Sequence, residues 1–136
     1  MSKVITLFLM CLFGMRLLHA HQETSLQDNF QNEMTPQYLY KVISVEDWTK
    51  SQGKESVKLT DADQDFIHLA REDQLGRIVG KYWDKVPEYV VLKIDTKKLP
   101  GKLVFEANPG GENKYYHLYE GSIPLKAVVG SKVIKK

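Results

Sequence analysis

The residues best suited to chemistry in this sequence are two histidines, His68 and His117. His68 lies between Ile67 and Leu69, and His117 lies among three tyrosines in residues 115–119. Imidazole can accept or donate a proton near neutral pH, and tyrosine can stack on a flat ligand while its hydroxyl forms a hydrogen bond. Because side chains alternate along a strand, His68 faces away from the side that its apolar neighbours bury. Each histidine is therefore either a hydrogen-bonded structural residue or part of a ligand pocket.

Other catalytic patterns are weak in this sequence. The chain contains no glycine-rich phosphate loop, no His-Glu-x-x-His motif and no serine in a nucleophile elbow. Asp61, Asp63 and Asp65 alternate like the start of a calcium loop, but the buried strand predicted over residues 66–70 intervenes before Glu72, the twelfth position of such a loop. Residues 108–111, Asn-Pro-Gly-Gly, predict a turn. We therefore predict no metal site.

The first twenty residues have the composition of a secretory signal peptide. They contain no acid, one lysine near the start and an apolar run over residues 4–13, and they end on the small residue Ala20. The apolar run is too short for a membrane span, and Arg16 follows it closely. We therefore predict that residues 1–20 are a signal peptide, that the protein is secreted or periplasmic, and that no membrane span is left after cleavage.

Removal of residues 1–20 changes the charge and the redox chemistry of the chain. The 19 basic residues become 17 when Lys3 and Arg16 are lost, which balances the 17 acids and gives no excess charge that would favour DNA. The single cysteine, Cys11, is lost as well, so disulfides, thiolate chemistry and cysteine-based zinc sites are excluded from the mature chain.

The remaining residues divide into a tether and one domain. Residues 21–37 are rich in amides and acids without a periodic pattern, and we predict that they form a disordered tether. In a chain of 136 residues that is 43% hydrophobic, residues 38–136 are enough for a single globular domain.

Within that domain the patterns predict the order β-α-β-α-β-β-β-β, an α+β fold in which the strands after the second helix can pair as antiparallel neighbours. Ser44 and Asp47 form the capping signal of a short first helix that Gly53 ends. We predict strands over residues 38–43, 66–70, 88–94, 102–107, 115–119 and 127–134.

The second helix, Arg71–Trp83, has the clearest period. Its apolar residues Leu75, Ile78, Val79 and Tyr82 recur at helical spacing. We expect this stripe to join one buried core with other apolar residues, namely Trp48, Phe66, Val90, Leu92 and Ile94. Two glycines beside the stripe, Gly76 and Gly80, predict the close approach of a neighbouring backbone.

Several short motifs occur in a fixed order over residues 38–130. They are Tyr40–Ile43 followed by Trp48, Asp65–Ala70, Phe105-Glu106, His117–Tyr119, Ile123–Leu125 and Ala127-Val128. In this order and spacing they resemble the uncharacterised bacterial family called domain of unknown function 952. Members of that family look like small ADP-ribosyltransferase-type folds. Part of the chain is also distantly similar to the transferase lobe of RNA 2′-phosphotransferases.

The resemblance implies two short curved sheets, antiparallel or mixed, with two helices, and a ligand such as NAD or an ADP-ribose-like nucleotide. The ligand-binding residues that it implies are His68, His117, Tyr119, Tyr40 and Tyr115. Two positions depart from the usual pattern. Tyr40-Lys41 stands where such transferases carry a ligand-binding histidine on the first strand, and Ala70 stands where a serine usually follows the His-Leu pair.

Two functions are compatible with these residues. The first is a non-catalytic module that binds a small nucleotide-like ligand or a protein partner. The second is an NAD-dependent ADP-ribosyl or phosphoryl-group transferase that uses His68 and a glutamate, Glu106 or Glu120, to stabilise an oxocarbenium-like ribose. Export favours the binding module, because free NAD and RNA are expected mainly inside cells. A pocket of either kind requires the two imidazoles to lie within about 10 Å of each other at a concave surface.

The signal-peptide prediction can be tested directly. We expect the mature chain to start at or near His21, because signal peptidase cuts after a small residue that follows the apolar run. Amino-terminal sequencing of the protein from its native host measures this start. A chain that retains Met1 or Ser2 in a soluble cytoplasmic fraction would contradict the prediction.

Overall fold

The computed structural model describes residues 35–136, so the predicted signal peptide and all but three residues of the predicted tether lie outside the described residues. The compact unit of the described chain begins at Pro36. The Thr96 side chain donates a hydrogen bond to the carbonyl oxygen of Pro36 at 2.6 Å, and the Thr96 amide donates to that of Gln37 at 3.0 Å. The chain is therefore fixed to the domain two residues before the predicted start.

Within residues 35–136 the elements follow the predicted order. They are β1 (Tyr38–Ile43), α1 (Val45–Ser51), β2 (Ile67–Leu69), α2 (Leu75–Tyr82), β3 (Glu88–Asp95), β4 (Lys102–Ala107), β5 (Lys114–Tyr119) and β6 (Val128–Lys135). The Ser44 hydroxyl accepts a hydrogen bond from the amide of Asp47 at 3.0 Å, so the predicted cap of the first helix is confirmed. A 3₁₀ turn, Glu72–Gln74, forms the first part of the predicted second helix.

The strands form two small antiparallel sheets, which confirms the α+β fold class. The first sheet has the order β1-β3-β6, and the second has the order β2-β5-β4. Of the strands after α2, β4 and β5 pair with each other, whereas β3 and β4 belong to different sheets. The turn between β3 and β4 needs Gly101, which has φ +100° and lies so close to β5 that a Cβ atom there would be 2.4 Å from the carbonyl oxygen of Tyr119.

The core is shared by the two sheets. The first sheet contributes apolar residues that alternate along β1 and β3, and the second contributes the inward face of β2 and β5. Trp48 of α1 is half-buried and packs against this cluster. The apolar residues with no more than 2% exposure in these four strands are Leu39, Leu69, Val90, Leu92, Ile94 and Leu118.

The prediction that the stripe of α2 enters this core is wrong. Leu75, Ile78 and Val79 are half-buried and lie outside the core cluster, and Tyr82 is 62% exposed. The physical reason is that α2 covers a cleft rather than a sheet, and Leu75 and Ile78 line that cleft. Phe66 is also half-buried outside the cluster, because its ring packs on a histidine instead.

The predicted role of the two helix glycines is also wrong. A Cβ atom built on Gly76 or Gly80 would meet no atom within 4 Å. Both residues face open space, so no neighbouring backbone explains their presence. Each glycine lowers the stability of α2 by about 1 kcal/mol relative to alanine, and nothing in the structure accounts for that loss.

The difference between core and cleft predicts a difference in stability. We expect Leu92→Ala to destabilise the domain by about 2–5 kcal/mol, because it leaves a cavity in a fully buried cluster. We expect Ile78→Ala to lower the free energy of unfolding by about 1 kcal/mol or less, because Ile78 is half-buried at a cleft. Urea denaturation measures both values. Equal losses in the two variants would mean that the α2 stripe packs into the core after all.

Candidate functional site

The domain contains a cleft of about 760 Å³, which is within the size range of small-molecule sites. Its walls are β1, residues 58–63, the end of β2, α2 and residues 108–115. The two sheets meet at its floor, where Tyr40 and Ala70 exchange backbone hydrogen bonds of 2.7 and 2.9 Å. The cleft is therefore built from both sheets and covered in part by α2.

His68 lies in this cleft with its orientation set by Asp63. One carboxylate oxygen, Asp63 Oδ1, accepts a hydrogen bond from the backbone amide of His68 at 3.0 Å and lies 3.0 Å from its ring Nδ1. An ionised carboxylate can only accept, so Nδ1 carries a hydrogen, and in the neutral ring Nε2 has the lone pair. The His68 side chain is 40% exposed, and Nε2 forms no hydrogen bond with any residue of the described chain.

A buried lysine holds the second oxygen of the same carboxylate. Lys41 Nζ lies 2.9 Å from Asp63 Oδ2 and also donates to the carbonyl oxygen of His68 at 2.9 Å. The side chains of Lys41 and Asp63 are 8% and 6% exposed. The ion pair therefore joins the middle of β1 to the turn before β2, and it fixes the backbone and the ring of His68 together.

The pKa values of this pair reflect burial and mutual attraction. Burial lowers the pKa of Lys41, and the charge of Asp63 opposes that effect. For Asp63, burial alone would raise the pKa, but the hydrogen bonds from His68 and the charge of Lys41 outweigh burial and lower the pKa to about 2. The carboxylate is thus ionised throughout the neutral pH range.

His117 has a different environment. It is fully buried, and the Phe66 ring stacks on it with the ring centroids 4.0 Å apart. Its Nδ1 lies 2.9 Å from Glu106 Oε1, and its Nε2 lies 2.8 Å from Asn108 Oδ1. Both ring nitrogens already have partners, so His117 offers no polar atom to a ligand.

The predicted proximity of the two histidines is confirmed. His68 and His117 are register partners in the β2–β5 pair, and their ring centroids lie 5.3 Å apart in an edge-to-face arrangement. The structure places His68 in the wall of the cleft and His117 beneath Phe66, where it does not line the cleft. Ligand contact therefore stays a prediction for His68, and the geometry offers His117 no such contact.

The other predicted site residues fall into two groups. Tyr40 and Tyr115 line the cleft. Tyr119, Glu106 and Glu120 do not. The Tyr119 hydroxyl donates to Glu106, and the hydrogen bonds from Tyr119 and His117 lower the pKa of that carboxyl. This bond to Glu106 in turn raises the pKa of Tyr119.

Glu120 occupies the turn after β5 and is exposed, with φ +50°. A transferase that uses either Glu106 or Glu120 would need one of these carboxylates in the cleft. The cleft-lining residues instead include Glu112, which the sequence patterns did not single out.

Lys41 and Asp63 are site residues that the sequence patterns did not predict. A signal was present for Lys41, because it alternates with Leu39 and Ile43 and therefore stands on the buried face of β1. A buried lysine requires a carboxylate partner. No local pattern, however, indicates that Asp63, 22 positions along the chain, supplies that carboxylate.

Two cations of α2 complete the polar lining. Arg77 and Lys81 are spaced one helical turn apart and both line the cleft. Within residues 35–136 neither forms an ion pair, whereas the other two lining cations, Lys41 and Lys58, pair with aspartates. The described residues contain no group of three or more histidine, cysteine or acidic side chains that could hold a metal ion, and no helix among them is long and apolar enough to cross a membrane.

Comparison with known proteins places this domain in a family. The model of the family described as protein of unknown function (DUF952) matches residues 42–131, well over half of the chain. The chain belongs to the DUF952 family. The match includes β2, β5, Asp63 and His68, whereas Tyr40 and Lys41 lie just before its first residue.

Solved structures share the fold of this DUF952 domain. The crystal structure of protein CC0527 from Caulobacter crescentus has 23% sequence identity and a TM-score of 0.61, and the match covers 71% of this chain and 84% of CC0527. The solution NMR structure of CC0527 matches with the same identity, coverage and TM-score. No curated protein matches the chain.

The lowered pKa of Asp63 predicts how the stability of this DUF952 domain depends on pH. A carboxyl whose folded pKa is depressed stabilises the fold above its unfolded pKa, and that stability is lost as the pH falls towards the folded value of about 2. We expect the difference in unfolding free energy between the wild type and Asp63→Asn to shrink by about 2 kcal/mol between pH 5 and pH 2.

Urea denaturation across this pH range measures that difference. Asp61→Asn is the matched control, because Asp61 is exposed in the same turn. We expect Asp61→Asn to follow the wild-type profile. If the difference between the wild type and Asp63→Asn is the same at pH 5 and at pH 2, the buried ion pair does not have the stated effect.

Proposed function

We propose that this domain is a binding module whose cleft takes a small nucleotide-like ligand, NAD or a molecule related to ADP-ribose. The observation that carries the proposal is the imidazole of His68, which a buried ion pair orients in a cleft of about 760 Å³ with its Nε2 atom unpartnered in the described chain. A side chain that is held in place but keeps a polar atom free is suited to contact a ligand.

The aromatic lining supports a ligand with a flat ring. Tyr40 and Tyr115 line the cleft, and so do Tyr82 and Trp83 at the end of α2. Tyr82 is largely exposed, and the ammonium group of Lys81 lies 5.0 Å from the centroid of its ring. Aromatic side chains of this kind provide stacking area for a base or a nicotinamide ring.

The charges of the cleft support a ligand with an anionic group. Because the other lining cations have aspartate partners, the unpaired positive charge of the cleft comes from Arg77 and Lys81 on α2. A guanidinium can bind two phosphate oxygens at once. A phosphate group near α2 and a ring near the tyrosines would fill the cleft together.

We further propose that the domain is related to ADP-ribosyltransferase-type folds and acts outside the cytoplasm. The motif order and the pair of small sheets support the relationship, and the composition of residues 1–20 supports export. A binding role is favoured over NAD-dependent group transfer, because neither Glu106 nor Glu120 lines the cleft.

A ligand screen on the full chain tests the binding role. We expect NAD, ADP-ribose or adenosine 5′-monophosphate to raise the melting temperature of the wild type, since a ligand at one hundred times its Kd adds about 2.7 kcal/mol of stability. We expect His68→Ala to abolish this shift while keeping a folded domain, because the His68 side chain is 40% exposed.

Two further variants test whether Arg77 binds the phosphate group of the probes. Arg77→Gln should weaken binding of the phosphate-bearing probes, whereas Lys132→Gln, which removes the same charge from an exposed position on β6 outside the cleft, should not. The absence of a shift with all three probes, or an equal shift in the wild type and His68→Ala, would contradict the proposed function.

A further inference from the structure

Residues 108–113 form one edge of the cleft, and we call this segment the rim loop. It contains Glu112, a lining acid that forms no ion pair within residues 35–136. The position of the rim loop therefore decides where a negative charge and several backbone groups lie in the cleft.

The first part of the rim loop is a tight turn. The Gly111 amide donates a hydrogen bond to the carbonyl oxygen of Asn108 at 2.8 Å, and Gly110 has φ +76°. Pro109 followed by a glycine with positive φ is typical of a type II turn. The rim loop joins β4 to β5, whose last pair, Ala107 and Lys114, closes its base. The position of the rim loop over the cleft therefore depends on further contacts.

A side chain outside the cleft holds the first end. His117 is fully buried behind Phe66, and its Nε2 lies 2.8 Å from the side-chain oxygen of Asn108. The other ring nitrogen of His117 lies 2.9 Å from Glu106. The orientation of the His117 ring is thus fixed on both sides, and through Asn108 it fixes the start of the rim loop.

A second side chain outside the cleft holds the far end. The Gln74 amide nitrogen donates to the carbonyl oxygen of Lys114, the residue that follows the rim loop, at 2.9 Å. The amide oxygen of Gln74 accepts a hydrogen bond from the backbone of Arg71 at 3.0 Å. One glutamine therefore connects the end of the rim loop to the start of the helix that carries Arg77 and Lys81.

We infer that His117 and Gln74 are positioning residues of the cleft: they anchor the two ends of the rim loop and so determine how well a ligand fits. The effect on ligand fit rests on the proposed binding function, whereas the anchoring itself does not. His117 then acts through Asn108 rather than by touching the ligand. This role explains why both ring nitrogens of His117 are bonded, one to Glu106 and the other to the rim loop.

The anchoring is tested in the ligand-free full chain by NMR relaxation of the backbone amides of residues 110–113. We expect backbone order parameters of about 0.8 in the wild type. In Asn108→Ala and in Gln74→Ala we expect these order parameters to fall to about 0.6, because one end of the rim loop is released. Asn113→Ala and Gln64→Ala are the matched controls, because these side chains are exposed and make no hydrogen bond within the described chain. Unchanged order parameters in both anchor variants would overturn the inference.

Calorimetry with ADP-ribose tests the consequence for binding. Neither Gln74 nor Gln64 lines the cleft, so the loss of a direct contact with the ligand cannot account for a difference in affinity between their variants. We expect Gln74→Ala to weaken binding about fivefold, since the ligand must then order the rim loop, and Gln64→Ala to have no effect. Equal affinities in these two variants would refute the effect on ligand fit. If the wild type does not bind ADP-ribose, the result counts against the proposed ligand, and the relaxation data still decide the anchoring.

Discussion

The buried ion pair between Lys41 and Asp63 is the interaction on which the candidate site depends. Lys41 stands on the buried face of β1, where an unpaired ammonium group would be strongly unfavourable. Asp63 neutralises this charge with one carboxylate oxygen and holds the backbone and ring of His68 with the other. Loss of either partner would leave a buried charge uncompensated, which typically destabilises a protein by about 3–5 kcal/mol. The stability of β1 and the orientation of His68 are therefore coupled.

The register of the second sheet gives its two faces different roles. Ile67 pairs with Leu118 on the face that enters the core, and His68 pairs with His117 on the opposite face. A shift of β2 by one residue against β5 would turn His68 into the core. Although the two histidines are neighbours, one lines the cleft with an unpartnered nitrogen and the other is buried beneath Phe66 with both nitrogens bonded. A single strand pair thus supplies both the unpartnered imidazole nitrogen in the cleft and the imidazole that is bonded to Asn108 at its edge.

Features that depend on nearby residues could be predicted from the sequence, and features that depend on distant partners could not. Alternation and capping residues located the strands and α1, because these signals act within a few positions. The spacing of apolar residues also predicted helix α2. This spacing does not indicate which part of the fold the apolar stripe contacts, and Ile78 lines a cleft rather than the core. The partner of Lys41 lies in another element, so its identity follows from the tertiary fold alone. The hydrogen bond between His117 and Asn108 also depends on the tertiary fold, so no local sequence pattern predicts it.

The central claim is that Asp63 holds the His68 ring with its hydrogen on Nδ1 and its lone pair on Nε2, towards the cleft. A long-range nitrogen–proton NMR correlation of the histidine side chains in the full chain measures this tautomer directly. At pH 8, where imidazole side chains are largely neutral, His68 should have a protonated Nδ1 and a bare Nε2, as the 3.0 Å contact between Nδ1 and Asp63 requires. A spectrum in which Nε2 of His68 carries the hydrogen would mean that Asp63 does not orient the ring, and it would contradict the site described above.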